Sequence, residues 1–443
     1  MKPGAPPAGA GLLKAVLTLV AGGALAQALP LLLGPWLTRL YAPEQFGAYH
    51  VFAAVAANLA VIACARYEFA LPLVGDEASA QALRALCLRV LAGVTGLAAL
   101  GAAAWLALSG HGWTAWLPLA VGVLGWLSLA TLWATRAQAW RALAIARVVQ
   151  YGGGSLLQAL AGLYSAGVQG LVAAPILAGA AAAALLRMPW RHPESGAGEL
   201  APRMRALARR FRDFPLLNTP HAFMGALQDT VSLALLAAWQ GPVAAGFWGL
   251  ALRYLKAPAT LVGGAVSQAL YPRLAARGEA DAHDPAQPLR VTAEARAAVR
   301  RVMAGLAAIA APLVALLWAI GPWAFEALFG AQWRGAGELA RALAVYIGAH
   351  FVAAPLAVVT LAWGAQAWAL RLALVGQAAF VVALAAGLRA GGLAGAGWAV
   401  SAAMALYFGY YFVRLATWPL TPVAPAGPES ALDSRQTTNE GHA

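Results

Sequence analysis

Long apolar runs repeat along the chain, and short breaks that are polar or rich in proline and glycine separate them. A hydrocarbon core of about 30 Å requires roughly 20 apolar residues for each helical crossing, and these runs reach that length. A transmembrane barrel would instead need segments of about 10 residues that alternate between polar and apolar positions, and the sequence lacks them. We therefore expect an all-α polytopic membrane protein with twelve transmembrane helices. The pattern predicts them at residues 12–36, 47–69, 85–108, 115–135, 148–167, 170–187, 215–239, 242–264, 302–321, 338–362, 369–388 and 392–413.

Composition agrees with a membrane protein, since 61% of the 443 residues are hydrophobic and only 11% are charged. A soluble domain carries about 25% charged residues. The two cysteines, Cys64 and Cys87, are too few for a disulfide framework or a cysteine metal site, and we expect buried small apolar side chains at both positions. The sequence has no dinucleotide, phosphate-loop or zinc-protease motif, so neither an enzyme nor a cofactor is indicated.

The cations that give the chain its formal net charge of +13 lie mainly in the breaks between predicted helices. They do not form one patch of the kind that binds nucleic acid. If the N-terminus is cytoplasmic, the outside breaks carry only Arg39, Arg334, Arg341 and Arg389, and nearly all other cations are inside. The positive-inside rule therefore places both termini in the cytoplasm. The basic stretch 202–215 fits either an amphipathic segment on the anionic leaflet or a plain linker with topological charge.

The first 37 residues and the last 25 differ from the regular pattern of apolar runs. Lys2 and Lys14 precede an apolar run in which ALAQA (24–28) resembles a signal-peptidase site. The run continues through Leu37, beyond a normal signal core, which favours retention of residues 1–28 as part of the first span. Residues 419–443 have no apolar period, and we predict a disordered tail.

A short repeat indicates two halves. APEQFGAY (42–49) opens the second predicted helix and GPVAAGFW (241–248) opens the eighth, with proline, glycine and an aromatic residue at one constant offset. Repeated halves with even helix numbers are a transporter architecture that places the binding site at the midplane between them. We predict a six-helix lobe at 1–190, a basic cytoplasmic linker at 191–213 and a second six-helix lobe at 214–418.

Two cations interrupt the eighth predicted helix. Arg253 lies eleven residues after Pro242, or about 16 Å into the membrane, and Lys256 follows on the same face. A charge at this depth costs at least roughly 2.5 kcal/mol, so it should face protein or water. Asp229 precedes the turn at Gly241 by as many residues as Arg253 follows it, so the two side chains should stand at equal depth. A structural ion pair, with Lys256 reaching toward the inside surface, and an anion-binding face with an ion-sensitive carboxylate both remain open.

Three further charged residues are candidates in the first half. Arg66 and Glu68 are near the inside end of the second predicted helix, two residues apart and therefore on different faces. Arg39 ends the first helix on the outside. Each is either an interfacial or packing residue or part of a site.

Several stretches resemble bacterial oligosaccharide flippases, which belong to the multidrug, oligosaccharidyl-lipid and polysaccharide exporter superfamily. The stretches are PLLLGPWLTRLYAPEQFGAYHVFAAVAANLAVIACARYEFALPL (30–73), FRDFPLLNTPHAFMGALQD (211–229), AGFWGLALRYLKAPATLVGGAVSQALYPRLA (245–275), LFGAQWRGAGELARALA (328–344) and LAWGAQAWALRLALVGQ (361–377).

The resemblance implies two six-helix lobes around a central cavity that opens to either side of the bacterial inner membrane in turn. The implied substrate is undecaprenyl diphosphate carrying an O-antigen or capsule repeat unit, moved by a monomer in contact with the bilayer and with other polysaccharide assembly proteins. On this hypothesis Arg253 and Lys256 bind the diphosphate, Arg66 and Arg39 contribute from the other lobe, and Asp229 or Glu68 forms a buried pair or couples transport to H⁺ or Na⁺. No other cofactor and no nucleic acid is implied.

Three alternatives remain. A drug or metabolite antiporter of the same superfamily would need cavity carboxylates, for which Asp229 qualifies. A membrane enzyme of polysaccharide assembly would need a sizeable outside loop with catalytic groups, whereas the longest one predicted, 322–338, offers few. A non-transporting scaffold of the assembly complex is the third.

Overall fold

The computed structural model describes residues 8–188, 200–277 and 291–421, and almost all of them are helical. The helices are α1 Ala8–Leu40, α2 Pro43–Ile62, α3 Glu77–Ser109, α4 Leu117–Arg136, α5 Trp140–Arg147, α6 Gly154–Leu163, α7 Gly167–Leu185, α8 Leu200–Arg210, α9 Thr219–Arg277, α10 Ala293–Phe329, α11 Arg334–Ala362 and α12 Gln366–Ala416.

Two of these helices turn back on themselves and cross the membrane twice. α9 breaks at Gly241, whose φ of 81° and ψ of 172° suit glycine, and gives two arms, 219–240 and 242–277. α12 breaks at Gly391 and Gly392 into the arms 366–390 and 393–416. A turn of π-helix at Val148–Gly153 joins α5 and α6 into one span. The described residues thus contain twelve membrane spans, which confirms the predicted number, and α8 lies between the sixth and the seventh.

By length and composition, eight of the described helical stretches qualify as membrane-crossing, and the regions of α9 and α12 among them each supply two spans. The α1 span and the α5–α6 span bring the number to twelve. The spans of α1 to α7 form one lobe and those of α9 to α12 form the other. Separate apolar cores fill each lobe, and a further core that includes Phe46, Trp248 and Trp333 joins the two. α2 packs along α9 and forms the centre of the interface between the lobes.

The second predicted helix ends earlier than its apolar pattern indicates. α2 stops at Ile62, Ala65 and Arg66 adopt left-handed backbone angles (φ 46° and 62°), and a 3-10 helix follows at Tyr67–Leu73. The chain thus turns sideways at the end of the span instead of continuing to residue 69. The prediction that Arg66 and Glu68 lie on different faces of one α-helix is therefore wrong.

α10 begins at Ala293, nine residues before its predicted start, and Thr292 Oγ1 caps it by accepting a hydrogen bond from Ala295 N at 3.1 Å. The early start is possible because Ala295 and Val299 are buried while the neighbouring Arg300 and Arg301 are exposed. Arg300 Nε donates to Ala416 O at 2.8 Å, where it satisfies a free carbonyl at the end of α12.

The basic segment between the lobes forms α8. Met204 and Leu207 on α8 are buried against the core of the first lobe, and Tyr67 Oη donates to Ala208 O at 3.3 Å. Its apolar face is therefore occupied by protein. Residues 191–199 of the predicted linker lie outside the described residues.

The predicted tail begins too early at residue 419. Thr421 is described, and its backbone N–H donates to Val291 O at 3.1 Å while its hydroxyl accepts from Val291 N at 2.9 Å. The rest of the predicted tail, 422–443, lies outside the described residues.

Candidate functional site

A cavity of about 620 Å³ lies between the two lobes at the middle of the spans. α1, α2, the α5–α6 span and α7 supply one side, and both arms of α9 supply the other. Most of the wall is apolar or small. The polar and charged residues that line it are Gln27, Tyr49, His50, Gln150, Tyr151, Ser155, Gln158, Asp229, Arg253, Lys256 and Thr260.

Both predicted midplane cations line this cavity. They lie on the second arm of α9, one helical turn apart and therefore on one face. Arg253 Nη2 donates to Pro30 O on α1 at 3.4 Å, a long bond that leaves the other guanidinium donors for the cavity. Lys256 lies near the Tyr346 hydroxyl and the Asp229 carboxylate.

Asp229 lines the same cavity, and its side chain is exposed there. The ion pairs found in the described residues do not include one between Asp229 and Arg253. Asp229 and Arg253 line one cavity without forming an ion pair, and the carboxylate also lies near Lys256. The cavity therefore carries two cations and one carboxylate.

The first lobe presents alanine where the second presents cations. Ala54 and Ala57 on α2 are the repeat equivalents of Arg253 and Lys256, since the same number of residues separates each pair as separates Pro43 from Pro242. Both alanines line the cavity. The charge therefore comes from one lobe, and the small side chains of the other leave volume beside it.

The repeated motif itself closes one end of the cavity. A Cβ atom on Gly47 would overlap the Pro242 carbonyl, and one on Gly246 would overlap the Pro43 carbonyl. The two copies thus pack against each other in a reciprocal contact that only glycine permits. We call these four residues the glycine clasp, and the end of the molecule where they lie the clasp end.

Further contacts between the lobes surround the clasp. Thr38 O at the end of α1 accepts hydrogen bonds from Trp333 Nε1 at 2.9 Å and from Gln332 Nε2 at 2.8 Å. The Phe46 ring meets the Trp333 indole edge-on at 5.2 Å between centroids. The clasp end is closed by backbone contact, buried aromatic rings and hydrogen bonds together.

The structure does not bring the other three predicted residues into the cavity wall. Arg39 lies at the clasp end, where its Nη2 donates to Ala327 O at 3.4 Å. Arg66 lies at the opposite end, where its Nε donates to Asn218 Oδ1 at 2.9 Å and its guanidinium covers the Phe69 ring. Glu68 is only 2% exposed and lies inside the first lobe.

Sequence reasoning missed His50 and Tyr346. His50 lines the cavity close to Arg253, and a Cβ atom on Gly249 would overlap the imidazole. The repeat contained a signal for this residue, because His50 and Gly249 correspond at the same offset. Tyr346 lies on α11, and its sequence surroundings carry no comparable signal.

Two six-helix lobes around a cavity with a few charged groups define a polytopic membrane protein with a candidate binding site between its lobes. Residues 36–338 match the family model described as "Polysaccharide biosynthesis protein". The chain therefore belongs to this family of polysaccharide biosynthesis proteins. No curated protein matches the sequence significantly.

Solved structures share the fold at low sequence identity. An inward-facing multidrug resistance transporter of the MATE family, from the MOP superfamily, aligns with a TM-score of 0.62 and 13% identity over 95% of this chain and 96% of its own. The lipid II flippase MurJ in an inward closed conformation aligns with a TM-score of 0.60 and 9% identity over 95% and 93%. The chain shares the fold of these two transporters, which confirms the predicted fold class.

Proposed function

We propose that this protein moves undecaprenyl-diphosphate-linked oligosaccharide repeat units from the cytoplasmic to the periplasmic leaflet of the bacterial inner membrane. The observation that carries the proposal is the joint placement of Arg253 and Lys256 on one wall of a cavity between the lobes. Membership of the family supports a role in polysaccharide biosynthesis.

The charge of the cavity suits a diphosphate. An anionic headgroup loses its hydration when it enters the membrane core, and fixed cations at the midplane offset that cost. Two cations against one carboxylate leave a positive surplus toward the substrate. Small side chains on the facing lobe leave room for the sugars, while the polyprenyl tail stays in the bilayer. Asp229, which lies near Lys256 in the cavity, is the candidate for coupling to H⁺ or Na⁺.

Transport follows from alternate closure of the two ends. The glycine clasp closes one end in this structure, and the positive-inside pattern assigns that end to the periplasm. The substrate would then enter from the cytoplasmic leaflet, and release would require the clasp to open.

One observation favours a drug or metabolite antiporter instead. Asp229 is exposed in a largely apolar cavity, which is the chemistry that holds an organic cation. The two neighbouring cations oppose that use, because like charges beside the ligand lower its affinity. The two functions make opposite predictions for removal of the cations.

The test is the accumulation of lipid-linked repeat units on the inner leaflet, together with loss of surface glycan, in the native host. Arg253→Ala, Lys256→Met and the double variant are compared with Arg389→Ala at equal protein levels in the membrane. Arg389 is the matched control because it lies in the same lobe but over the Trp239 ring, away from the cavity. Loss of a charged hydrogen bond costs about 1.5 to 3 kcal/mol, so each single change should weaken substrate binding roughly 10- to 150-fold.

Normal export by the double variant would refute the diphosphate site. Normal glycan after deletion of the whole chain would refute the flippase function. Enhanced resistance to organic cations in the double variant, with glycan export intact, would favour the antiporter.

A further inference from the structure

A buried cluster of two thiols and one carboxylate lies inside the first lobe, apart from the transport cavity. Cys64 Sγ, Cys87 Sγ and a Glu68 carboxylate oxygen all lie within 4.8 Å of one another. The three residues are 1%, 0% and 2% exposed. The cysteines are buried, as predicted from the sequence, but the carboxylate between them was not expected.

The unusual turn after α2 builds the cluster. Ala65 and Arg66 take left-handed backbone angles, and Tyr67 N donates to Cys64 O at 3.1 Å to close the turn. This reversal brings Glu68 back beside Cys64, and α3 adds Cys87 from the neighbouring span. Left-handed angles at residues other than glycine cost on the order of 1 to 3 kcal/mol each, so the surrounding structure must hold the turn in place.

The carboxylate lacks a full set of partners. Glu68 Oε1 accepts a hydrogen bond from Ser128 Oγ at 3.4 Å, which is long. Glu68 Oε2 is buried and has no hydrogen-bond partner among the described atoms. A buried ionised group without a partner is strongly unfavourable, and a cation bound beside it would remove that cost.

We propose that Cys64, Glu68 and Cys87 form a metal site that takes zinc. Two thiolates and one carboxylate are the ligand types that Zn²⁺ accepts, and a tetrahedral ion at the usual bond lengths holds its ligand atoms about 3.5 to 3.8 Å apart. The three ligand atoms lie within 4.8 Å of one another, so each separation would shorten by no more than about 1.3 Å to reach that spacing. The Ser128 hydroxyl, or a water, takes the fourth position.

The two sulfur donors and one oxygen donor favour zinc over other metal ions. Magnesium and calcium need shells of oxygen ligands, and copper(I) does not favour a carboxylate. Two thiolates and one carboxylate around Zn²⁺ leave one negative charge, and Arg66 lies close enough to act on Glu68 and offset it.

The site would brace the first lobe. The ion would tie the turn after α2 to α3, at the end of the molecule where Arg66 meets Asn218 of the other lobe. The inference is independent of the proposed transport function, since none of the three ligands lines the cavity.

The experiment measures the metal content of the full-length protein by mass spectrometry. The protein is purified in detergent from zinc-supplied cells, without chelator and with an affinity tag that contains no histidine. We expect about one zinc per chain in the wild type and a loss of at least tenfold in Cys87→Ala. Thr95→Val is the matched control, because Thr95 lies on α3 two turns from Cys87 and its hydroxyl is buried outside the cluster. This variant should keep its zinc.

A second measurement uses only the wild-type protein, so its result does not depend on the folding of a variant. Wild-type protein from cobalt-supplied cells should show thiolate-to-cobalt charge-transfer absorption and the strong visible bands of a tetrahedral ion. Wild-type protein without stoichiometric metal would overturn the proposal, as would zinc retained in Cys87→Ala or a cobalt spectrum without thiolate bands. A Cys64–Cys87 disulfide, detected by thiol titration of the denatured protein, would overturn it as well.

Discussion

At the scale of the residue, the glycine clasp is the most demanding contact. A Cβ atom on Gly47 would meet the backbone carbonyl of Pro242, which cannot move like a flexible side chain. Gly47→Ala must therefore separate α2 from α9 at the clasp end. We expect the free energy of unfolding to fall by about 1 to 3 kcal/mol, as for other overpacked sites, in denaturation of the detergent-solubilised protein.

Gly225→Ala is the control for that change. Gly225 lies in the first arm of α9, and a Cβ atom there would meet nothing within 4 Å. Alanine in a helix interior is favoured over glycine by roughly 0.5 to 1 kcal/mol, so this variant should be neutral or slightly stabilised. Equal stabilities of the two variants would contradict the reciprocal packing of the clasp.

At the scale of the element, the basic helix α8 is expected to be held by protein contacts rather than by lipid. Leu207 is buried against the first lobe, whereas the neighbouring Arg205 is exposed. A large-to-small change at a core leucine costs about 2 to 5 kcal/mol, so Leu207→Ala should release the helix. Amide hydrogen exchange across residues 200–210 should accelerate at least tenfold in this variant and remain unchanged in Arg205→Ala.

The same measurement in nanodiscs separates the two interpretations of α8. Docking on the lobe predicts protection that is independent of the anionic lipid content. Protection that depends on anionic lipid and not on Leu207 would show instead that the helix binds the membrane surface.

At the scale of the whole molecule, the contacts at the clasp end predict that transport requires the lobes to separate there. Arg39 of the first lobe reaches Ala327 of the second, so cysteines at these two positions fall within the span of a short, cleavable thiol cross-linker. Cross-linking the Arg39→Cys, Ala327→Cys double variant should abolish repeat-unit export, and cleavage of the linker should restore it. The native cysteines are buried and should not react.

Each single-cysteine variant treated with the same reagent is the control. Inhibition of a single variant would indicate a local effect of the label. Full export by the cross-linked double variant would show that the clasp end does not open during transport.

The sequence by itself determined the number of spans and the repeat between the two halves. Apolar runs long enough to cross a bilayer fixed twelve helices, because a backbone in hydrocarbon must satisfy its own hydrogen bonds. The same sequence identified the repeat that forms the clasp, and the depth of Arg253 and Lys256, because the helical rise converts residue number into depth.

Only the tertiary structure decided which of the charged residues share a site. Counting residues gives the depth of Asp229 but not its direction around the helix axis. The predicted ion pair with Arg253 is not formed, and the carboxylate lies near Lys256 as well. The turn at Ala65 and Arg66 has no glycine or asparagine that would indicate left-handed backbone angles. Packing of the following 3-10 helix against α3 and α4 holds those angles instead, and the local sequence does not show that packing. The turn directs Arg66 to Asn218. It also buries Glu68 beside Cys64, which precedes the turn, and beside Cys87, which lies on α3.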